Sequence, residues 1–259
     1  MGSLTTDRKV AVTTVTLVNP GKLNAISVEM WQALGQTFAA LSADKSLRCI
    51  VVRGADGNFA AGADIAQFPE VRGSLDQLHV FHREIIAGAL RAIAECAHPT
   101  VALIEGFCVG GGLEIAACCD LRIAGASSRF GAPIHKLGFA MAPDELRALL
   151  SVVSRATVLE LLLEGRILDA LEARERGIVT RVVVDDRVVD EAYATAARIA
   201  AMAPLANRIS KRLIRRMGPG AAPLSEAEID ESFAYWDSHD HREGIAAFLE
   251  KRSPRFRGE

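Results

Sequence analysis

Three consecutive glycines and a nearby acid, Gly110, Gly111, Gly112 and Glu114, have the residue types and spacing that best suit catalysis. The apolar run before them, residues 101–104, predicts a buried strand, and residues 113–119 predict a helix. A run of glycines indicates unusual dihedral angles or the close approach of another group. A helix that begins there directs free N–H groups and its positive dipole end into the turn. An anion or developing oxyanion would be stabilised beside Glu114; the alternative is a tight turn with Glu114 as a surface acid.

A second glycine-bearing loop lies about fifty residues earlier and has the sequence FAAGADIAQF over residues 59–68. It follows a predicted buried strand at 49–52 and a turn at 54–58. Because its side chains are mostly small, its backbone is able to approach a ligand closely. We therefore expect two ligand-facing loops, each following a predicted strand.

These loops need a scaffold, and the rest of the chain predicts one in which strands and helices alternate. Beyond Asp185 the pattern is helical to the end, with breaks at Pro204 and at residues 218–223. The sequence thus predicts an α/β core over residues 1–203 that carries the site, and a C-terminal helical oligomerisation region over 204–259. The other predicted strands are 10–18, 120–124 and 178–184, and the other predicted helices are 28–41, 74–96, 143–153, 156–163 and 169–176. Ser27 and Ser74 are predicted N-caps of the helices at 28–41 and 74–96, and residues 127–139 are predicted to be irregular.

The overall composition indicates a globular protein with no nucleic-acid or membrane partner. With 259 residues, 50% of them hydrophobic and 24% charged, the chain is long enough for one large domain or a core with an appendix. A formal net charge of −2 gives no electrostatic reason to bind nucleic acid or an anionic membrane. The N-terminal residues have no secretory pattern and the apolar run at 200–206 is too short to span a bilayer, so we expect a cytoplasmic location.

Neither the cysteines nor the histidines predict a metal site. The cysteines lie in apolar contexts without paired CxxC spacing, which favours buried free thiols in a reducing compartment. His98, His239 and His241 lack metal-ligand spacing. His79 and His82 belong to the predicted helix before the glycine run, and we interpret them as structural or surface residues. The five cysteines are Cys49, Cys96, Cys108, Cys118 and Cys119.

Together, the two glycine loops resemble those of the enoyl-CoA hydratase/isomerase (crotonase) superfamily, and the resemblance covers nearly the whole chain. It implies a spiral of ββα units with a C-terminal helical part that packs homotrimers or dimers of trimers. It also implies an acyl-CoA thioester as substrate, with no separate cofactor because coenzyme A is part of that substrate. The other matching segments are KLNA at 22–25, CDLRIAG at 119–125, FG at 130–131, LLLEGRILDALEARERGIVTRVV at 161–183, and REG at 242–244 followed by AFLEKRSPRF at 247–256.

The resemblance implies roles for individual residues. The thioester carbonyl would lie between the backbone N–H groups of Ala63 and Gly111, an oxyanion hole that stabilises a thioester enolate. Glu114 would be the catalytic residue that transfers protons. Five residues would bind coenzyme A, the last two reaching the nucleotide held by a neighbouring subunit: Lys22, Ala61, Asp64, Phe248 and Lys251.

One position departs from the family pattern. Hydratases of the family use two glutamates to place a water molecule and shuttle its protons; the first matches Glu114, but Ile134 stands where the second belongs. Isoleucine neither accepts a proton nor orients water. Three nearby residues are candidates for the missing acid/base group: His135, Asp144 and Glu145. The alternative is an exposed loop histidine and two acids that are favoured simply by a helix N-terminus.

These observations predict an acyl-CoA enzyme, by family default an enoyl-CoA hydratase, whose hydration is slow unless another residue replaces the second glutamate. Double-bond isomerisation is an alternative, because moving a proton between C2 and C4 needs only one carboxylate. Hydrolysis, decarboxylation and retro-aldol chemistry stay open, since the same oxyanion hole serves them, and so does a catalytically weak acyl-CoA-binding protein. The acyl group would be enclosed by walls drawn from Phe68, Phe81, Phe139 and Met141.

Overall fold

The computed structural model describes residues 2–218 and 220–259, and the strands of this part form two sheets. The larger sheet has the order β1-β2-β3-β4-β6-β9, in which β1 and β2 are antiparallel and the other neighbours are parallel. The smaller sheet has the order β5-β7-β8. Strands β1 to β9 span Ser3–Lys9, Val12–Val18, Cys49–Gly54, Thr100–Ile104, Phe107–Val109, Leu121–Gly125, Arg129–Gly131, Ile167–Leu168 and Arg181–Val183.

The helices pack around these sheets, and the predicted caps of two of them are confirmed. Ser27 accepts a hydrogen bond from the N–H of Met30, and Ser74 accepts one from Gln77. The helix predicted at 74–96 consists of α3, a π-helical segment Val80–Ile86, and α4. Helices α1 to α12 of the described residues span Val28–Ala43, Phe68–Val71, Leu75–His79, Ala87–Glu95, Gly111–Cys118, Pro143–Leu150, Arg155–Leu163, Ala170–Glu175, Val188–Ala200, Pro204–Arg216, Glu226–Ser232 and His239–Leu249.

The chain alternates between the two sheets as a ββα spiral does. β4 of the larger sheet is followed by β5 of the smaller sheet and then by α5, and β6 and β7 repeat the alternation. Ala60, after β3, forms a parallel bridge with Cys108 of β5, so the preceding turn of the spiral also reaches the smaller sheet. The predicted α/β class with its strand–strand–helix repetition is confirmed.

The central strands of the larger sheet are buried on both faces. In β3, Ile50 and Val52 belong to the main hydrophobic cluster, which also includes residues of α1, α4 and α5. Cys49 and Val51 of the same strand point to the opposite face, where a smaller cluster includes Ala192 of α9. Because successive side chains of a strand alternate between faces, a strand buried on both sides has a continuous apolar sequence, as residues 49–52 do.

Two segments are more regular than the sequence predicts. The strand predicted at 10–18 is half of a hairpin, because β1 pairs antiparallel with β2 and Val10 turns the chain with a φ of 55°. The stretch 127–139, predicted to be irregular, contains β7 and the 3-10 helix Ile134–Leu137. β1 is mostly exposed and polar and β7 has three residues, so neither carries the apolar alternation that indicates a strand.

The C-terminal helices contact the core through polar groups as well as apolar ones. Lys211 of α10 places its Nζ 2.7 Å from Oδ2 of Asp120 and 2.8 Å from the carbonyl oxygen of His98. The Lys211 side chain is almost wholly buried by this contact. The division between core and appendix at residue 204 stays a prediction.

The cysteines of the described residues are free thiols, four of them buried and Cys118 half-buried. Burial, as the largest cause, raises the pKa of Cys49 to about 12, so that thiol is not a nucleophile at neutral pH. No helix within residues 2–218 and 220–259 is long and apolar enough to cross a membrane. In the same residues, no cluster of His, Cys, Asp and Glu is arranged to hold a metal ion.

Candidate active site

The two glycine loops meet at a cavity of about 160 Å³, called here the central pocket. The first loop contributes Ala61, Gly62 and Ala63, and the glycine run contributes Gly110 and Gly111. The other pocket residues come from α1, the segment 65–86, the end of β5, α5, the loop around the 3-10 helix, and α6. Those that matter below are Trp31, Phe68, Arg72, His82, Glu114, Ile134, Phe139 and Glu145.

Close backbone packing explains why this site uses glycines. Gly110 takes a φ of 52°, a conformation that residues with a Cβ rarely adopt. A Cβ on Gly112 would lie 2.6 Å from the carbonyl oxygen of Ala60, well inside van der Waals contact. The glycine run therefore has both properties predicted from the sequence: an unusual dihedral angle and the close approach of another segment.

Two backbone N–H groups at the pocket are left free by the local hydrogen bonding. Gly111 is the first residue of α5 and precedes the first intrahelical hydrogen bond. In the other loop, the N–H of Ile26 donates to Gly62 O at 2.7 Å, and the N–H of Asp64 donates to Ile26 O at 2.9 Å. Between these bonds, the N–H of Ala63 donates to no backbone acceptor among the described residues.

Glu114 lies in the first turn of α5 and lines the pocket with only 5% of its surface exposed. Burial raises the pKa of this carboxyl well above its usual 4.5; the charge of Glu145 raises it further, and that of Arg72 opposes the shift. Glu114 therefore keeps its proton at pH values where an exposed glutamate is ionised. This carboxyl stands three residues along the chain from the free N–H of Gly111.

A second carboxyl group enters the pocket from α6. Glu145 is 4% exposed, and its Oε1 lies 2.5 Å from Nδ1 of His82. Its Oε2 accepts a hydrogen bond of 3.2 Å from the N–H of Ala142, just before the helix begins. These contacts fix the carboxyl group in the pocket wall. Of the three candidates for the missing acid/base group, Glu145 is the one that lines the pocket.

The other two candidates lie away from the pocket. His135 is exposed on the 3-10 helix, and Oδ1 of Asp144 lies 3.7 Å from Nη1 of the exposed Arg147. Ile134 does line the pocket. The wall is therefore apolar at the position where the family's second glutamate is expected, and the extra carboxyl group comes from a different helix.

The structure adds two residues with basic side chains to the pocket, Arg72 and His82. Arg72 follows α2, and its guanidinium carbon lies 3.7 Å from the ring centroid of Phe68 and 4.4 Å from that of Phe139. His82, interpreted from the sequence as a structural or surface residue, lies on the π-helical segment and contacts Glu145. A π-helical turn frequently marks a functional site, but it has no simple sequence pattern. The position of Arg72 depends on the packing of three separate segments, so spacing along the chain does not predict it.

The residues expected to bind coenzyme A fall into two groups. Ala61 lines the pocket, and next to it Nζ of Lys22 forms an ion pair of 2.7 Å with Oδ2 of Asp64. Phe248 is 83% exposed on α12, and Lys251 is exposed just beyond it. Neither of these two C-terminal residues lines the pocket of its own chain.

Two of the four residues expected to enclose the acyl group line the pocket, and two do not. Phe68 and Phe139 line the pocket, and their rings pack edge to face with centroids 5.9 Å apart. Phe81 and Met141 are buried in the main hydrophobic cluster and do not line the pocket. Trp31 is a pocket residue that the sequence does not single out, because its helix position is equally suited to the core.

Comparison with known proteins gives a consistent result over the whole chain. The family model for enoyl-CoA hydratase/isomerase matches residues 7–259. A probable enoyl-CoA hydratase of Mycobacterium tuberculosis is 34% identical over 255 residues, covering 96% of this chain and 95% of the relative. A probable enoyl-CoA hydratase of Rhizobium meliloti is 34% identical over 251 residues, covering 94% and 93%.

Solved structures of similar proteins share the whole fold. An enoyl-CoA hydratase/carnithine racemase from Magnetospirillum magneticum is 44% identical and superimposes with a TM-score of 0.96, covering 100% of this chain and 97% of that one. An enoyl-CoA hydratase from Mycobacterium smegmatis is 30% identical with a TM-score of 0.89, and 98% of each chain is covered. The ββα spiral seen here is the fold of those proteins.

Proposed function

Because this chain belongs to the enoyl-CoA hydratase/isomerase family of acyl-CoA enzymes, we propose that it adds water across the double bond of a 2-enoyl-CoA thioester. The observation that carries the proposal is the meeting of two carboxyl groups, Glu114 and Glu145, with the residues Ala63 and Gly111 at one pocket. Hydration needs one group to take a proton from water and another to protonate the substrate. Glu114 and Glu145 would fill these two roles, although Ile134 replaces the glutamate that the family uses.

In this proposal the thioester oxygen accepts hydrogen bonds from the N–H groups of Ala63 and Gly111. Negative charge develops on this oxygen when the enolate forms, and each preorganised donor is typically worth about 3 kcal/mol in such a site. The N–H of Gly111 also carries the positive end of the α5 dipole. The substrate carbonyl would thus be polarised without a metal ligand.

Proton transfer is divided between the two glutamates. Glu145 takes a proton from water as the hydroxyl group adds to C3 of the substrate, and Glu114 donates its own proton to C2 of the enolate. The raised pKa of Glu114 supports its role as the acid, because burial favours the protonated form of that carboxyl. Two carboxyl groups with different surroundings are suited to opposite roles. His82 and the N–H of Ala142 orient Glu145 for its role as base.

Coenzyme A would extend from the pocket past Ala61 towards the Lys22–Asp64 pair. Lys22 is half-exposed and is therefore free to move from Asp64 to a phosphate group. Phe248 and Lys251, exposed at the end of α12, would serve coenzyme A bound to another copy of the chain.

Replacement of either glutamate by glutamine tests the function. With crotonyl-CoA, whose gain of one water is followed by mass spectrometry, Glu114→Gln and Glu145→Gln should each lower kcat by roughly 10²- to 10⁴-fold, the usual contribution of general acid–base catalysis. Asp144→Asn is the matched control, because Asp144 adjoins Glu145 in sequence but pairs with Arg147 outside the pocket. Full turnover by Glu145→Gln would show that this residue is not the second acid/base group.

Double-bond isomerisation is the second candidate, and Ile134 in the pocket wall favours it. With one working carboxyl group, the site would move a proton between C2 and C4 of a 3-enoyl-CoA. Conversion of 3-hexenoyl-CoA to the 2-enoyl isomer, without gain of water from crotonyl-CoA, would select isomerisation. In that case Glu114→Gln alone would abolish turnover, and Glu145→Gln would not.

A further inference from the structure

Arg72 is held in the pocket wall by aromatic rings. Its guanidinium carbon lies 3.7 Å from the centroid of Phe68, 4.4 Å from that of Phe139 and 5.4 Å from that of Phe81. Guanidinium groups stack well on aromatic rings because they are planar and weakly hydrated. Stacking covers the faces of the guanidinium group. Its N–H donors lie in the plane of the group and stay available to another group.

Those in-plane donors have no partner in the part of the chain that the structure describes. Nε of Arg72 is shielded from solvent there and has no acceptor within hydrogen-bonding distance, and the side chain forms no ion pair. Nε1 of Trp31, in the same pocket, is likewise buried without an acceptor. Buried donors in native proteins are almost always satisfied, so the pocket is suited to a ligand that brings acceptor atoms.

The other charged groups of the pocket do not satisfy Arg72. Glu145 is already bonded to His82 and to the N–H of Ala142. Glu114 is buried, and burial raises the pKa of its carboxyl, which disfavours the charged form that would pair with Arg72. Arg72 stays cationic, since an arginine side chain does not lose its proton in proteins. The pocket therefore contains a cation whose buried Nε–H has no acceptor among the described residues.

We propose that Arg72 binds a carboxylate at the distal end of the acyl group, so that the substrates are coenzyme A thioesters of short dicarboxylic acids. A carboxylate matches the planar donor fork of a guanidinium better than any neutral group does. A quaternary ammonium group would be repelled by the positive charge of Arg72. Arg72 also covers the ring faces that attract such cations. A pocket of about 160 Å³ is below the usual 300–1,000 Å³ of small-molecule sites, which favours a short acyl chain.

This inference rests on the proposed acyl-CoA function, and saturated thioesters test it without requiring turnover. Glutaryl-CoA and valeryl-CoA differ by a carboxylate in place of a terminal methyl group. In calorimetry, the natural protein should bind glutaryl-CoA roughly 10- to 100-fold more tightly, the range expected for a charge-assisted hydrogen-bonded pair. Arg72→Met should remove the preference, while Arg91→Met, at an exposed position of α4, should retain it.

A second variant guards against damage to the fold. Arg72→Lys keeps the charge but loses the planar fork, so the preference should fall between those of the natural protein and Arg72→Met. Equal binding of the two thioesters by the natural protein, or a preference that survives Arg72→Met, would overturn the role of Arg72 and leave the proposed function intact. If neither thioester binds, both the role of Arg72 and the proposed function are wrong.

Discussion

Glu114 is the residue whose proposed catalytic role most directly opposes the stability of the folded protein. Its pKa in the folded protein is raised above the ordinary 4.5, so the folded state binds this proton more tightly than the unfolded chain does. The free energy of unfolding therefore falls as the pH rises above about 4.5 through the range in which Glu114 is protonated only in the folded state. An active-site carboxyl of this kind makes the protein less stable at neutral pH.

Glu114→Gln should accordingly stabilise the protein, and the gain should be larger at pH 8 than at pH 5. Glutamine keeps the size of the side chain but cannot ionise, so the penalty that grows with pH is removed. Urea unfolding at the two pH values measures the effect, with Glu84→Gln at an exposed position as the control. A gain of the same size at both pH values would contradict the argument.

At the scale of single residues, type and spacing identify some of the residues that line the pocket. The glycine run and Glu114 are identified by type and spacing, and the loss of the second glutamate at Ile134 is apparent from the resemblance alone. Glu145 is among three candidates, but spacing cannot separate it from its neighbour Asp144, because a rotation of about 100° per helical residue decides which of them lines the pocket. Neither residue spacing nor the family resemblance predicts that Arg72 and His82 line the pocket.

At the scale of elements, the close packing of α5 against the first loop predicts different effects for two glycine-to-alanine changes. Gly112→Ala should destabilise the protein by about 1–3 kcal/mol, because its Cβ would lie 2.6 Å from the carbonyl oxygen of Ala60. Gly88→Ala in α4 should stabilise it by about 0.5–1 kcal/mol, since no atom lies within 4 Å of the added Cβ and alanine favours the helix.

Denaturant unfolding of the two variants measures both effects. Each change adds one methyl group to a helical glycine with a negative φ, so the comparison separates the close approach at α5 from helix propensity. Equal effects of the two changes would show that the loop moves away from α5 at little cost. In that case the positions of the two free N–H groups would be less rigid than the structure indicates.

Elements are predicted from sequence when their pattern is long enough to repeat. The caps Ser27 and Ser74 and the doubly buried strand at 49–52 are predicted because local chemistry and an apolar run define them. The smaller sheet is missed because its strands have two or three residues, too few to show a period of two. The strand order of the smaller sheet depends on successive turns of the spiral reaching the same sheet. A short stretch of sequence does not contain that information.

At the scale of the whole molecule, several large apolar side chains of the C-terminal region are exposed. These side chains lie in the turn after α11 and on α12, and exposed apolar patches often mark an interface. This supports the prediction of a homotrimer or a dimer of trimers, with the region 204–259 at the contact. The exposed residues are Phe233, Trp236, Ile245, Phe248 and Leu249.

Light scattering at micromolar concentration should therefore give the mass of a trimer or of two trimers. Trp236→Ser should shift the protein towards smaller species, because it removes a large apolar contact. Leu171→Ser, at an exposed apolar position on α8, is the matched control and should leave the mass unchanged. A stable monomer of the natural protein would contradict the prediction.

The π-helical segment Val80–Ile86 has a consequence for insertions and deletions. Bonds from residue i to i+5 place one more residue in the turn than an α-helix has, which resembles a one-residue insertion. Deleting the exposed Arg83 would let α-helical bonding run continuously and rotate the preceding residues by about 100° about the helix axis. Phe81 would then leave the core and His82 would leave Glu145. A relative without this extra residue is expected to lack the histidine–glutamate contact, whichever amino acids occupy those two positions.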